Sequence, residues 1–87
     1  MSIVEDVFAG SLTVLRVVKF LYESGKYATM YEIRKATGLA VTRKTLERLV
    51  ELGVLLKDPI LLTYRLNEDD EFVRELIGFL KRVGYLG

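Results

Sequence analysis

The stretch Thr29–Val54, TMYEIRKATGLAVTRKTLERLVELGV, constrains the fold of this chain more than any other. Its opening, Thr29-Met30-Tyr31-Glu32, fits the T-x-x-E capping box, in which the Thr and Glu side chains satisfy free backbone N–H groups at a helix start. A helix over 30–37 follows, with Ile33 and Ala36 turned inward, Arg34 and Lys35 outward, and Thr37-Gly38 ending it. Leu39-Ala40-Val41 then make an apolar turn that pins this helix against the next one, which spans 42–52 and starts at Thr42 or a neighbour. Leu46 and Leu49 mark the inner side of that second helix, and Arg43, Lys44, Glu47, Arg48 and Glu51 the outer side. Gly53 suits the left-handed position just past its end.

The flanks supply the remaining elements. Ile3–Phe8 reads as an extra helical turn or an arm, interrupted by Gly10. Ser11 is a good N-cap for a helix over 11–23. Leu15, Val18, Leu21 and Tyr22 form one apolar face of it, and Val14, Val17 and Phe20 add a second stripe. Only Arg16, Lys19 and Glu23 remain as a polar strip, so this helix needs cover on two sides, from the terminal helix or from a second subunit. Ser24-Gly25-Lys26 ends it, and Tyr27-Ala28 can form a very short strand. Val54–Lys57 and Ile60–Leu66 are β-rich runs separated by Asp58-Pro59, which predicts a hairpin over 54–66 with Leu62, Tyr64 and Leu66 on its buried face. Asn67 is placed to cap a final helix over 69–83, whose first turn gathers acids and whose last turn holds Lys81 and Arg82, as the helix dipole favours. Phe72, Leu76, Phe79, Leu80 and Val83 run along that helix as one stripe, and Gly84 closes it, leaving Tyr85-Leu86-Gly87 as a tail. The expected fold is mainly α with a small β-hairpin, one domain over residues 1–87.

Composition removes several chemistries. With no cysteine and no histidine, disulfides, zinc fingers and thiolate or imidazole catalysis are unavailable. Glu68, Asp69, Asp70 and Glu71 are consecutive on one turn and point apart, so they do not converge as a catalytic pair or a cation loop. We therefore expect no enzyme, no metal and no cofactor. The first ten residues lack a basic n-region and a long apolar core, and no apolar run approaches the ~20 residues that span a bilayer. A soluble cytoplasmic protein is the expectation, and the Lys, Arg and Glu usage with no Gln and a single Asn leans toward a thermophilic source. Charge is unevenly divided. Lys26–Arg65 holds eight basic and four acidic residues, while the remainder holds five and eight. An electropositive middle suits a partner that carries phosphates.

The order of helix, capped helix, turn, helix, hairpin and helix resembles the winged helix-turn-helix fold. EIRKATGL at 32–39, LERLVELGVL at 46–55, and TYRLN with EFVRELIGFL within 63–80 look like the compact archaeal and bacterial transcriptional regulators of the ArsR and MarR type. The resemblance implies sequence-specific binding of double-stranded DNA, with the 42–52 helix as the recognition helix in the major groove. Carried over by position, Arg43 and Lys44 contact bases or phosphates, with Thr45 and Arg48 beside them. Thr29, Arg34 and Lys35 hold phosphates, and Lys57 is the one basic residue of a short wing whose expected contribution is small.

The resemblance also implies a homodimer built on the first and last helices. Val14, Val17, Phe20, Phe72, Leu76, Phe79 and Val83 form the expected interface, with the C-terminal helix as the dimerisation helix. Two recognition helices one DNA turn apart, about 34 Å, would then meet a palindromic site. The competing expectation is a winged-helix module that binds another protein and not DNA.

Overall fold

A computed structural model describes residues 11–38 and 41–87 of the chain. The Ile3–Phe8 segment and the Leu39-Ala40 part of the apolar turn lie outside the described residues. Within them the elements are helix α1 (Ser11–Ser24), strand β1 (Ala28–Thr29), helix α2 (Met30–Thr37), helix α3 (Arg43–Glu51), strands β2 (Leu55–Asp58) and β3 (Thr63–Leu66), and helix α4 (Glu71–Arg82). The three strands form one antiparallel sheet in the order β1-β3-β2. The described residues are thus a mixed set of four helices and a three-stranded sheet, an arrangement compatible with a winged-helix-like layout.

Local chemistry fixes the helix starts. Thr29 caps α2 with both halves of the capping box present: its hydroxyl accepts from Glu32 N at 3.1 Å, and its own N–H donates to Glu32 Oε1 at 2.9 Å. These bonds hold the Glu32 carboxyl below the ordinary carboxylate range, chiefly through the Thr29 N–H and then its hydroxyl. Thr42 is the N-cap of α3 and accepts from Thr45 N at 3.2 Å, so the helix itself is one residue shorter at each end than expected.

The C-terminal helix starts later than the sequence suggests. Its cap is Asp70, which accepts from Val73 N at 3.0 Å, and not Asn67. Asn67 is used elsewhere: its N–H donates to Val54 O at 2.9 Å and its side-chain amide to Gly53 O at 3.0 Å. It fastens the exit of the hairpin to the end of α3. Gly53 allows that junction because it takes φ 81°, a left-handed conformation cheap only for glycine.

The hairpin is shorter than predicted. Leu55 faces Leu66, Leu56 faces Arg65, Lys57 faces Tyr64 and Asp58 faces Thr63, but Ile60–Leu62 belong to the turn and not to a strand. Pro59 has no N–H to give a ladder. The next two N–H groups, of Ile60 and Leu61, donate to Asp58 Oδ1 at 2.9 and 3.2 Å, and Leu62 N donates to Asp58 O at 2.8 Å. Leu62 is therefore exposed, not on the buried face with Tyr64 and Leu66, and it holds φ 54°. Left-handed backbone in a non-glycine residue costs about 1–2 kcal/mol.

Both apolar stripes of α1 are covered within one chain. Val14, Val17, Val18 and Leu21 are fully buried, in a core with Ile33, Val41, Leu46, Leu49, Val54, Leu66 and Val73. Helix α1 packs on α2 and on β3. The C-terminal segment closes the core from another direction. Tyr85 N and Leu86 N both donate to Leu80 O, the chain folds back, and Leu86 is buried where an open tail was expected. Lys81 Nζ lies 5.1 Å from the centre of the Tyr22 ring and Lys19 Nζ lies 5.0 Å from that of Tyr85, so α1 and the C-terminal segment grip each other through two cation–π contacts. Ala36, expected inside, is exposed on α2.

Candidate nucleic-acid interface

After α3 the chain reverses. Gly53 N donates to Val50 O at 3.0 Å and Val54 N to Leu49 O at 2.9 Å, which sends β2 back along the helix toward its N-terminus. Lys57 on β2 consequently reaches Glu47 on α3 and forms an ion pair with it. That is the only ion pair among the described residues. The hydrogen bond to Glu47 holds the Lys57 amine above the ordinary lysine value, against the opposing effects of burial and of the nearby Arg43 charge. The Lys57–Glu47 pair holds β2 against α3 one helical turn from Arg43.

Three cations remain uncommitted on this face. Arg43 and Lys44 are exposed at the first turn of α3 and Arg48 is half-buried one turn on, and none pairs with another described residue. They stand at a helix N-terminus, where the unsatisfied N–H groups and the helix dipole already favour an anion. Thr45 is half-buried beside the cap, its hydroxyl 3.1 Å from that of Thr42. Glu47 looks in sequence like a dilution of the basic face. Its pairing with Lys57 shows that its charge is neutralised within the chain.

Lys57, expected as the one basic residue of the wing, pairs with Glu47 and lies 5.7 Å from the centre of the Tyr64 ring, so it links the hairpin to the helix. Thr29, expected beside a phosphate, donates its hydroxyl to Glu32 Oε1 at 3.2 Å while accepting from Glu32 N, so both bonds serve the cap. On α2, Lys35 is exposed, whereas Arg34 is half-buried with its Nε buried and lacking a hydrogen-bond partner. Lys35 therefore extends the positive surface more freely than Arg34. The sequence reading omitted Arg65, an exposed cation on the outward face of the hairpin opposite the exposed Leu56. The alternation of Thr63 and Arg65 against Tyr64 and Leu66 was the signal that could have found it.

The expected dimer surface is reduced. Val14 and Val17 have no exposed area and Leu76 is buried, because the chain's own core takes them. Phe20 and Phe72 are half-buried against that core. Phe79 near the end of α4, 51% exposed, and its C-cap residue Val83, 60% exposed, remain open.

No family model matches the chain, and no curated protein or solved structure is significantly similar to it. No helix among the described residues is long and apolar enough to cross a membrane.

Proposed function

We propose that the chain is a winged-helix domain that binds double-stranded DNA and acts as a homodimeric transcriptional regulator in the cytoplasm. The single observation that carries this reading is the first turn of α3, where the Thr42 cap sets Arg43 and Lys44 outward and leaves both unpaired among the described residues. A capped helix start bearing two free cations offers phosphates N–H groups, a favourable dipole and formal charge together. Insertion of such an end into the major groove brings Arg43 to base edges, where its guanidinium can grip guanine O6 and N7 with two hydrogen bonds. Lys35 and Arg48 then follow the flanking backbone.

Phe79 on α4 and Val83 at its C-cap are the residues through which a second copy would dock. The exposed apolar residues also favour a second reading, a winged-helix module that binds another protein. Sedimentation of the purified chain with and without a random-sequence duplex separates the two. The regulator is a dimer that co-sediments with the duplex at low salt and is released at high salt. A chain that ignores DNA at every salt concentration removes the regulator and leaves the protein-binding module.

A further inference from the structure

The surface of α2 carries a recess of about 490 Å³, lined among the described residues by Met30, Tyr31, Arg34 and Lys35. Residues three and four apart on a helix are neighbours, so Tyr31 stands beside Arg34 and Lys35, and Met30 beside Arg34. The Thr29 capping box starts the helix at Met30 and so fixes where this face points. Recesses of roughly 300–1,000 Å³ are the size of small-molecule sites.

Each lining residue contributes something different. Tyr31 is 72% exposed, an aromatic ring that the chain's own core leaves uncovered. Met30 packs half-buried against that core and gives an apolar, polarisable floor. Arg34 is half-buried, and its Nε is shielded from solvent with no hydrogen-bond partner among the described residues. A buried donor without an acceptor is costly, more so in a charged group. The attraction between Arg34 and an anion in the recess is also less damped than at a cation surrounded by water. Lys35 adds an exposed ammonium. Glu32, the acid of α2, is turned back onto Thr29 through hydrogen bonds of 2.9 and 3.2 Å. The described lining thus sets two cations and no acid beside an open aromatic face.

An aromatic ring flanked by basic side chains takes a base by stacking and its phosphate by charge. Charge also selects among planar anions. A phosphate monoester carries about −1.5 to −2 near neutral pH and matches Arg34 and Lys35 together, whereas an aromatic carboxylate leaves one cation unmatched. Arg offers phosphate oxygens a planar fork, and Lys a compact point charge. We infer that the recess is a site for one nucleotide unit, its base stacked on Tyr31 and Met30 and its phosphate held by Arg34 and Lys35. The unit can come from a free nucleotide or from a single strand. Of these residues only Lys35 also belongs to the face proposed for the duplex, so either reading can fail while the other stands.

The test is titration of the 15N-labelled full chain with AMP, followed by calorimetry and by chemical shifts. AMP should bind with its largest shifts on 30–35, and adenosine, inorganic phosphate and benzoate should each bind more weakly. Tyr31→Ala should weaken AMP by roughly 5–150-fold, the value of stacking one base on one ring, and Tyr31→Phe should bind as the wild type does. Tyr31 is at the surface, so thermal melting should show both variants folded. Arg34→Met should weaken AMP and leave adenosine unchanged. A 5′-phosphorylated trideoxyadenylate separates the two sources. If it binds no tighter than AMP, the site takes a free nucleotide. If it binds tighter and still depends on Tyr31, the site takes a single strand. The site is overturned if neither ligand moves 30–35, if AMP shifts fall only on 42–48, if Tyr31→Ala binds AMP unchanged, or if benzoate binds tighter than AMP.

Discussion

Leu49→Ala should lower stability by about 2–5 kcal/mol, the range for removing a buried leucine and leaving its cavity. Leu49 has no exposed surface and sits on the inner side of α3, with Leu46 a turn before it and Val54 just after the helix. A chain of this size has roughly 4–13 kcal/mol in all, so the loss is a large share of it and would lower the melting temperature by roughly 10–30 °C. Thermal unfolding followed by circular dichroism measures this directly. Tyr31→Ala, at a position 72% exposed on α2, is the control and should stay within about 0.5 kcal/mol of wild type. The cavity also has a functional reading. Leu49 anchors the helix that presents Arg43 and Lys44, so the variant should bind DNA poorly even below its melting temperature.

The second large effect is expected from Arg43→Ala/Lys44→Ala/Arg48→Ala. None of the three side chains makes an ion pair with a described residue, and none belongs to the buried core. Folding should therefore be nearly unchanged. Each phosphate neutralised adds about 0.9 to the slope of log affinity against log salt. Losing three contacts should flatten the slope by up to about 3 and weaken binding by roughly a thousandfold near 0.1 M salt. Fluorescence anisotropy with a labelled duplex at several salt concentrations measures both quantities. Lys81→Ala, on α4 beside the Tyr22 ring, removes one positive charge away from the proposed face and should leave the slope as it is.

Much of the fold was legible because its determinants are local. The Thr29–Glu32 box, the Thr42 cap and Gly53 each act within a few residues, so their positions in the chain fix their roles. The exposure of Arg43 and Lys44 follows from helical periodicity alone. What escaped depends on contacts between distant positions. Lys57 and Glu47 are ten residues apart, and nothing in either neighbourhood says that a returning strand will join them. Asn67 reads as a helix cap until the hairpin brings it to Gly53 O, fourteen residues away.

Burial was misjudged for the same reason. Val14 and Val17 form a second apolar stripe that suggests a partner, yet α2, β3 and the rest of the core cover them, and the Leu86 fold-back adds cover that an apparent tail did not announce. At the hairpin, a run of β-forming residues outweighed the signal in Asp58-Pro59, which removes the ladder N–H groups and turns Ile60–Leu62 into a loop. The apolar residues that looked like strand are exposed at the hairpin tip.

The central claim is that the start of α3 and the hairpin beside it form the DNA-binding face. Chemical-shift mapping on the 15N-labelled chain tests it most directly, by adding a duplex stepwise at low salt. The account predicts that the largest shifts fall on 42–48 and 56–65, with smaller ones near Lys35 and little change along α1. Shifts concentrated on α1 and α4 with α3 unmoved, or no shifts at all at low salt, would contradict it.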